Sequence, residues 1–283
     1  MTQSQVERGA ARTPEQIREH YEIERELAQR LMSAPREERR RLYTEVYDEL
    51  FRRVPHHPQL SMKMDPASRR AEVEMQMNLL RRFLRPGMTF LELGAGDCGV
   101  SFAAAKEAER VFAVEVAETI ASSAETPENF ALVLSDGTSV PVEPGSVDVA
   151  YSNQLMEHLH PEDAVDQLRN IHRALRPGGC YVCITPNRFR GPIDISRYFD
   201  HVATGLHLRE HSVGELGRLF REVGFRRLRF YAGGKGKYLR LPMTLVRALE
   251  LSLSLLPWKL RSALARRMPL KAMLGITLVG FRP

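Results

Sequence analysis

Apolar and polar positions along this 283-residue chain change rhythm once, near Met88. Before that point Ile17, Tyr21, Ala28 and Leu31 fall on roughly one helical face. Tyr43, Val46, Tyr47, Leu50, Phe51 and Val54 form a second such stripe, and Val73, Met77, Leu80 and Leu84 a third. This period predicts amphipathic helices. Thr13-Pro14-Glu15-Gln16 opens the first, with Thr as N-cap, Pro at the first helical position and Gln in place for a capping box. Ser33-Ala34-Pro35 interrupts the pattern, "VPHHPQ" stops the second helix, and "RPG" at 85–87 follows the third. Residues 1–12 are read as a disordered tail and 13–87 as a helical cap.

From Met88 the runs shorten and become rich in β-formers: "MTFLELG", "RVFAVEV", "FALVLSD", "VDVAYSN" and "CYVCITP". Helical stretches separate them, among them "GVSFAAAKEA", "PEDAVDQLRNIHRALRPGG" and "SVGELGRLFREVGF". Strand–helix alternation predicts an α/β domain over 88–283 with a doubly wound, mostly parallel sheet. "FRRLRFYA" reads as a sixth strand and "GITLVGFRP" as a seventh. Between them, 233–271 is longer than a connection requires and is read as a helical insertion.

In an open α/β sheet, ligands lie outside the carboxyl ends of the strands, near the switch in strand order. The first strand ends in Glu92-Leu93-Gly94-Ala95-Gly96, the second in Glu115, the third in Ser135-Asp136-Gly137 and the fourth in Ser152-Asn153-Gln154. An acid or amide closes each. Such a set suits a nucleoside that carries an amino acid and a positive charge better than a dinucleotide, whose phosphates an acid repels. Gly94 and Gly96 let the main chain approach the guest. Glu115 can accept from both ribose hydroxyls, Asp136 from an exocyclic amine beside the Gly137 backbone, and Glu92 with Asn153 and Gln154 can meet an α-ammonium. Asp97 either faces the cofactor or caps the following helix.

"LELGAGDCG", "AVEV", "SDGTSVPVEPGSVDVAYSNQLMEHL" and "HRALRPGGCYVCITPN", in this order, resemble successive motifs of the class I S-adenosylmethionine-dependent methyltransferases. The resemblance covers about residues 73–231. It implies S-adenosyl-L-methionine as cofactor, a Rossmann-like methyltransferase sheet of seven strands, and a last strand running antiparallel.

Methyl transfer to oxygen calls for alignment and, where the acceptor must lose a proton, for a base near neutral pKa. His158, just after the fourth strand, is the first candidate. The long segment "TPNRFRGPIDISRYFDHVATGLHLREHS" supplies the second, His207, together with Asp194, Asp200, His201, Glu210 and His211. No tight ligand spacing marks a metal site there, and none is expected. Arg188, Arg197 and Tyr198 are read as shaping the acceptor pocket or pinning the loop.

Bulk properties narrow the partners. Of 41 basic residues only six are lysine, and the basic residues are scattered, which argues against a nucleic-acid partner. Cys180 and Cys183 lie three apart on a strand and face opposite sides, so neither pairing nor chelation follows. The polar N-terminus has no apolar signal region and no run reaches the roughly 18 apolar residues of a spanning helix. A cytoplasmic protein is expected. In the insertion, Leu245, Leu249, Leu253 and Leu256 form a stripe that Trp258, Leu260 and Leu264 extend among Lys259, Arg261, Arg266 and Arg267. Residues 241–268 can therefore touch the inner face of a membrane, cover the acceptor, or form a homodimer interface. The resulting expectation is methylation, at oxygen, of a small, lipid or glycolipid acceptor. A protein or nucleic-acid methyltransferase and a non-catalytic cofactor-binding relative are the alternatives.

Overall fold

Local signals place the first helices. In the computed structural model, which describes residues 12–61, 65–116, 126–234 and 236–283, Thr13 and Gln16 form the anticipated capping box at the start of α1 (Pro14–Ser33). Pro35 then starts α2 (Arg36–Arg53), and a single turn, α3 (Pro58–Ser61), follows. Asp65 caps α4 (Pro66–Leu80) by accepting from the Ala67 and Ser68 amides, both at 3.0 Å. Residues 1–11 of the expected tail lie outside the described residues.

The alternating part forms β1 (Thr89–Leu93), α5 (Gly99–Ala105), β2 (Arg110–Glu115), β3 (Phe130–Leu134), β4 (Val147–Asn153), α6 (Pro161–Ala174) and β5 (Leu175–Thr185). Next come α7 (Val213–Glu222), β6 (Arg227–Gly234), β7 (Lys237–Leu241), α8 (Met243–Ser254), α9 (Trp258–Ala265), α10 (Leu270–Met273) and β8 (Ile276–Phe281). The sheet order is β3-β2-β1-β4-β5-β8-β6-β7. Strands β1 to β5 run parallel, and β8 is antiparallel to both β5 and β6. The order reverses between β1 and β4, which puts a crevice at their carboxyl ends.

Alternation along the strands divides the core. Leu91, Ala150, Tyr181 and Cys183 pack with α1, α2, α6 and α7, while Phe90, Tyr151, Cys180 and Val182 pack with α4 and α5. Cys180 and Cys183 thus sit in opposite layers, each free and buried.

The expected doubly wound, mostly parallel sheet is present and carries an eighth strand at its edge. The 233–271 insertion is not wholly helical. It opens with β7, which pairs antiparallel with β6 from Phe230↔Leu241 to Gly234↔Lys237. Gly236, at φ +77°, lies in the tight connection, where a left-handed residue matches the strand twist. The leucine stripe is also rotated from the expected one. Val246, Glu250 and Leu253 are the buried positions of α8, and Leu245 is half exposed.

Candidate active site

The loop after β1 folds back on the tip of β2. Gly94 has φ +65° and Gly96 φ +55°, and between them and α5 Cys98 also holds a left-handed backbone at φ 56°. The Gly96 amide donates to Glu115 Oε1 at 2.5 Å, and the Val116 amide to Glu115 Oε2 at 3.2 Å. Burial raises the Glu115 carboxyl, against those two amide bonds. A Cβ built on Gly96 would meet no atom within 4 Å, so the space above that backbone is open beside the carboxylate. Gly94 is different, since its Cβ would come 3.1 Å from Leu155 Cδ1. Gly94 therefore lets the β1 and β4 loops touch, and Gly96 leaves room for a guest.

Glu92 lies beneath this loop, 5% exposed, and accepts from Ser101 Oγ at 2.6 Å. Burial pushes its pKa up to about 8, against the Ser101 bond. It supports the loop from inside. Asp97 accepts from the Gly99 amide at 3.1 Å and pairs with Arg69 of α4. Burial works against its charge, yet Arg69 holds the carboxyl below its usual range.

At the end of β3, Asp136 Oδ1 accepts from the Thr138 and Ser139 amides (3.0 and 2.7 Å), while Oδ2 lies 3.4 Å from Arg40 Nε. Gly137, at φ +88°, admits the Tyr43 ring, whose Cδ2 would lie 2.8 Å from a Cβ there. Asn153 is half buried at the end of β4, and Gln154 projects outward with φ 57°. A left-handed backbone at a non-glycine residue costs energy and clusters at ligand-binding turns. Cys98 and Gln154 are the two such residues among those described, and they follow β1 and β4, the strands at the switch point.

Helix α2 lies across these ends. Arg40 reaches Asp136, Tyr43 covers Gly137, Thr44 Oγ1 donates to the Val116 carbonyl at 3.3 Å, and Tyr47 OH is 2.9 Å from His158 Nδ1. These residues lie on one helical face. The apolar stripe by itself gave no sign of Arg40 and Thr44.

The histidine candidates meet. His158 ends a 3-10 turn (Met156–His158) after β4, and its ring packs edge-on against His207, centroids 4.8 Å apart. Glu157, overlooked in the sequence, is fully buried beside them and accepts from Thr185 Oγ1 at 2.8 Å. His207 Nδ1 is 2.8 Å from Glu210 Oε1. Burial, helped by the charge of His207, takes His158 down to about 3. Burial opposes charge on His207 too, but Glu210 and Glu157 outweigh it and hold that ring at about 9. Burial lifts Glu157 to about 7. Two other acids of this loop have structural partners: Asp194 caps a 3-10 turn and Asp200 accepts from Tyr21 at 2.6 Å. A cavity of about 580 Å³ opens elsewhere, between α1 and Tyr198-Phe199, and touches none of the strand-end residues. The convergence of strand ends, not that cavity, defines the site.

Acids and amides thus gather at the carboxyl ends of β1 to β4, on either side of the switch in strand order. Residues 91–183 match the family described as a methyltransferase domain. A probable S-adenosylmethionine-dependent methyltransferase of Mycolicibacterium smegmatis is 31% identical over 140 residues, covering 49% of this chain and 52% of that relative. An uncharacterized 37.1 kDa transposon protein of Streptomyces fradiae is 30% identical over 154 residues, covering 50% of this chain and 44% of its own length. The chain thus spans about half the length of these relatives. Among solved structures, a phosphoethanolamine N-methyltransferase of Haemonchus contortus with phosphoethanolamine and S-adenosylhomocysteine superposes at TM-score 0.55, with 15% identity over 87% of this chain and 50% of the other. The methyltransferase resemblance stands, and S-adenosyl-L-methionine is the cofactor of that class. The residues around Gly96 fit it: an open approach to backbone and a carboxylate at the tip of β2.

Proposed function

We propose that this chain methylates a hydroxyl oxygen of a lipophilic acceptor presented at an anionic membrane surface. The observation that carries the reading is convergence: the Gly96–Glu115 corner and the Glu157–His158–His207 cluster lie at the carboxyl ends of neighbouring strands, bridged by one helix. S-adenosyl-L-methionine supplies a methyl carbon on cationic sulfur. Glu115 would accept from the ribose hydroxyls, Asp136 from the adenine amine, and Gly94, Gly96, Asn153 and Gln154 would line the methionine end. Tyr43 and Tyr47 of α2 exclude water from above. The acceptor oxygen must sit in line with the sulfur–carbon bond and lose its proton, and we assign the acceptor side to the paired His158 and His207 rings. Fixing both partners in line contributes much of the rate.

The acceptor class rests on the insertion. Leu251, Leu255 and Met268 are 67%, 80% and 71% exposed, with Trp258 and Leu260 also exposed. Lys259, Arg266 and Arg267 lie among them in sequence, and the one acid between 241 and 271 is Glu250. That acid is buried, accepting from Asn187 Nδ2 at 2.8 Å and the Val213 amide at 2.7 Å. It fastens α8 to the loop that carries His207. An apolar surface with only cationic neighbours favours an anionic lipid face.

Radiolabelled methyl transfer from S-adenosyl-L-methionine into a lipid extract tests the reading. Label in a chloroform-soluble, base-stable product is expected. Label confined to protein or nucleic acid, or binding of S-adenosylhomocysteine without any transfer, would replace it with one of the alternatives.

A further inference from the structure

We propose that Glu157, His158 and His207 form a binding site for one divalent first-row metal ion. Each residue offers a ligand atom, and these atoms lie within 4.8 Å of one another. Ligand bonds of about 2.0–2.2 Å would draw them closer by roughly 1 Å.

The hydrogen bonds leave the correct atoms available. His158 Nδ1 is 3.0 Å from the Leu206 carbonyl, which can only accept, and 2.9 Å from Tyr47 OH, which can do either; with the Nδ1 proton given to the carbonyl, Nε2 keeps its lone pair. Glu210 Oε1 already accepts from the Ile193 amide at 2.7 Å and is 2.8 Å from His207 Nδ1. An acceptor there keeps a proton on Nδ1, so a metal ion would bind at Nε2 in place of the proton of the charged ring. Glu157 Oε2 accepts from Thr185, while Oε1 is buried without a hydrogen-bond partner among the described residues. A fully buried carboxylate oxygen left bare costs energy unless something satisfies it. Histidines that give their second N–H to a carboxylate or a carbonyl are the pattern found around bound metals. Two imidazoles and one carboxylate leave coordination positions open for a further oxygen ligand.

A second histidine–carboxylate group lacks these features. His20 Nε2 is engaged by Glu24 at 2.7 Å and its Nδ1 faces the Arg12 guanidinium, also at 2.7 Å, which repels a cation. The distinction is chemical, not one of proximity.

The inference rests on the proposed function only for its purpose: a cation here would hold the acceptor oxygen and lower its pKa, in place of proton transfer to a bare histidine. Its test does not need turnover. The full chain, stripped with chelator, is titrated with Co²⁺ and followed by its visible d–d absorption, then challenged with Zn²⁺. One Co²⁺ per chain, displaced by Zn²⁺, is expected. His207→Ala and Glu157→Gln should weaken Co²⁺ binding more than tenfold. Glu210→Gln, which touches no metal, should weaken it about 10–100-fold. If His207→Ala does not fold, Glu210→Gln and a Zn²⁺-dependent rise in the Tm of the unmodified chain decide the matter. No visible band, or equal binding by these variants, overturns the site. S-adenosylhomocysteine titrated into the same samples separates the two ideas. Its binding without Co²⁺ sinks the metal site alone, and Co²⁺ binding without it sinks the methyltransferase reading alone.

Discussion

Arg39 and Asp163, 124 residues apart in sequence, form a paired hydrogen bond with their side chains almost wholly enclosed. Nε meets Oδ2 at 2.7 Å and Nη2 meets Oδ1 at 2.8 Å, with exposures of 3% and 2%. Tyr43 OH donates to the same carboxylate at 2.7 Å and accepts from the His160 amide at 2.9 Å. This group fastens α2 to the start of α6, and with it the cover over the strand ends.

Removing Asp163 leaves the buried Arg39 with Glu162 as its remaining acid and the Tyr43 hydroxyl without its acceptor. Asp163→Ala is therefore expected to lose about 3–5 kcal/mol of stability, read from denaturant unfolding. Arg39→Met with Asp163→Leu together should cost much less. The pH dependence follows from sign: Arg39 and Tyr43 hold the Asp163 carboxyl below its ordinary 3.8, against burial. Its stabilisation is present above 3.8 and is lost as pH falls through the lower folded value. Equal unfolding midpoints for the parent chain and Asp163→Ala would show that the pair anchors nothing.

Glu92 works in the opposite direction. With a folded pKa of about 8 against 4.5 unfolded, it stays protonated in the fold while the unfolded chain ionises. It imposes no penalty below 4.5, and the penalty grows as pH rises from there to about 8. Glu92→Gln keeps a neutral group of the same size beside Ser101. Its Tm relative to the parent should climb steadily between pH 5 and pH 8, measured in the absence of cofactor. A difference that is flat across that range would mean Glu92 is ionised in the folded protein.

How far these features were legible beforehand differs by kind. The strands and their closing acids were readable because short β-rich runs end abruptly in polar residues, and Glu115 and Asp136 stand at those tips. The chemistry of each carboxylate was less so. Glu92 and Glu115 look alike in sequence, yet alternation turns the former under the loop to Ser101 and the latter toward Gly96. Glu157 was hidden by its neighbour, because a 3-10 turn after β4 presents adjacent residues to one cluster and the third member arrives from a distant loop. The β6–β7 hairpin escaped because "GGKGKYLRL" is short and lies against a strongly helical leucine pattern, although Gly236 carried the turn signal. Arg40 and Thr44 fall outside the apolar stripe, and only the sheet supplies the surface they meet.

Glu115 is expected to dominate cofactor affinity. Glu115→Ala should weaken S-adenosylhomocysteine binding by about 1–3 kcal/mol, the cost of polar groups left unpaired. Isothermal titration reads this directly. Because the Gly96 amide loses its 2.5 Å partner as well, part of the loss arises from the glycine loop. Glu115→Gln keeps an acceptor for that amide and should recover part of it. Unchanged affinity in both variants would remove Glu115 from the ribose.

Membrane contact through the insertion predicts two separable losses. Trp258 is fixed by stacking on His201, ring centroids 3.7 Å apart, which ties α9 to the loop after β5. Leu251 and Leu255 project from α8, and neither is among its buried residues. Serine at Leu251, Leu255 and Met268 removes exposed apolar area without touching the core, so Tm should stay unchanged while recovery with floated vesicles falls. Glutamine at Arg266 and Arg267 should cost about 1 kcal/mol of binding for each charge near the surface. That loss should appear only with anionic vesicles and should fade as salt screens the remaining charges. Arg266 also donates to the Arg190 carbonyl at 3.2 Å, so Arg267→Gln is the cleaner variant. Equal flotation of the parent chain with anionic and neutral vesicles, or none with either, would return this surface to packing or dimerisation and withdraw the lipid from the acceptor assignment.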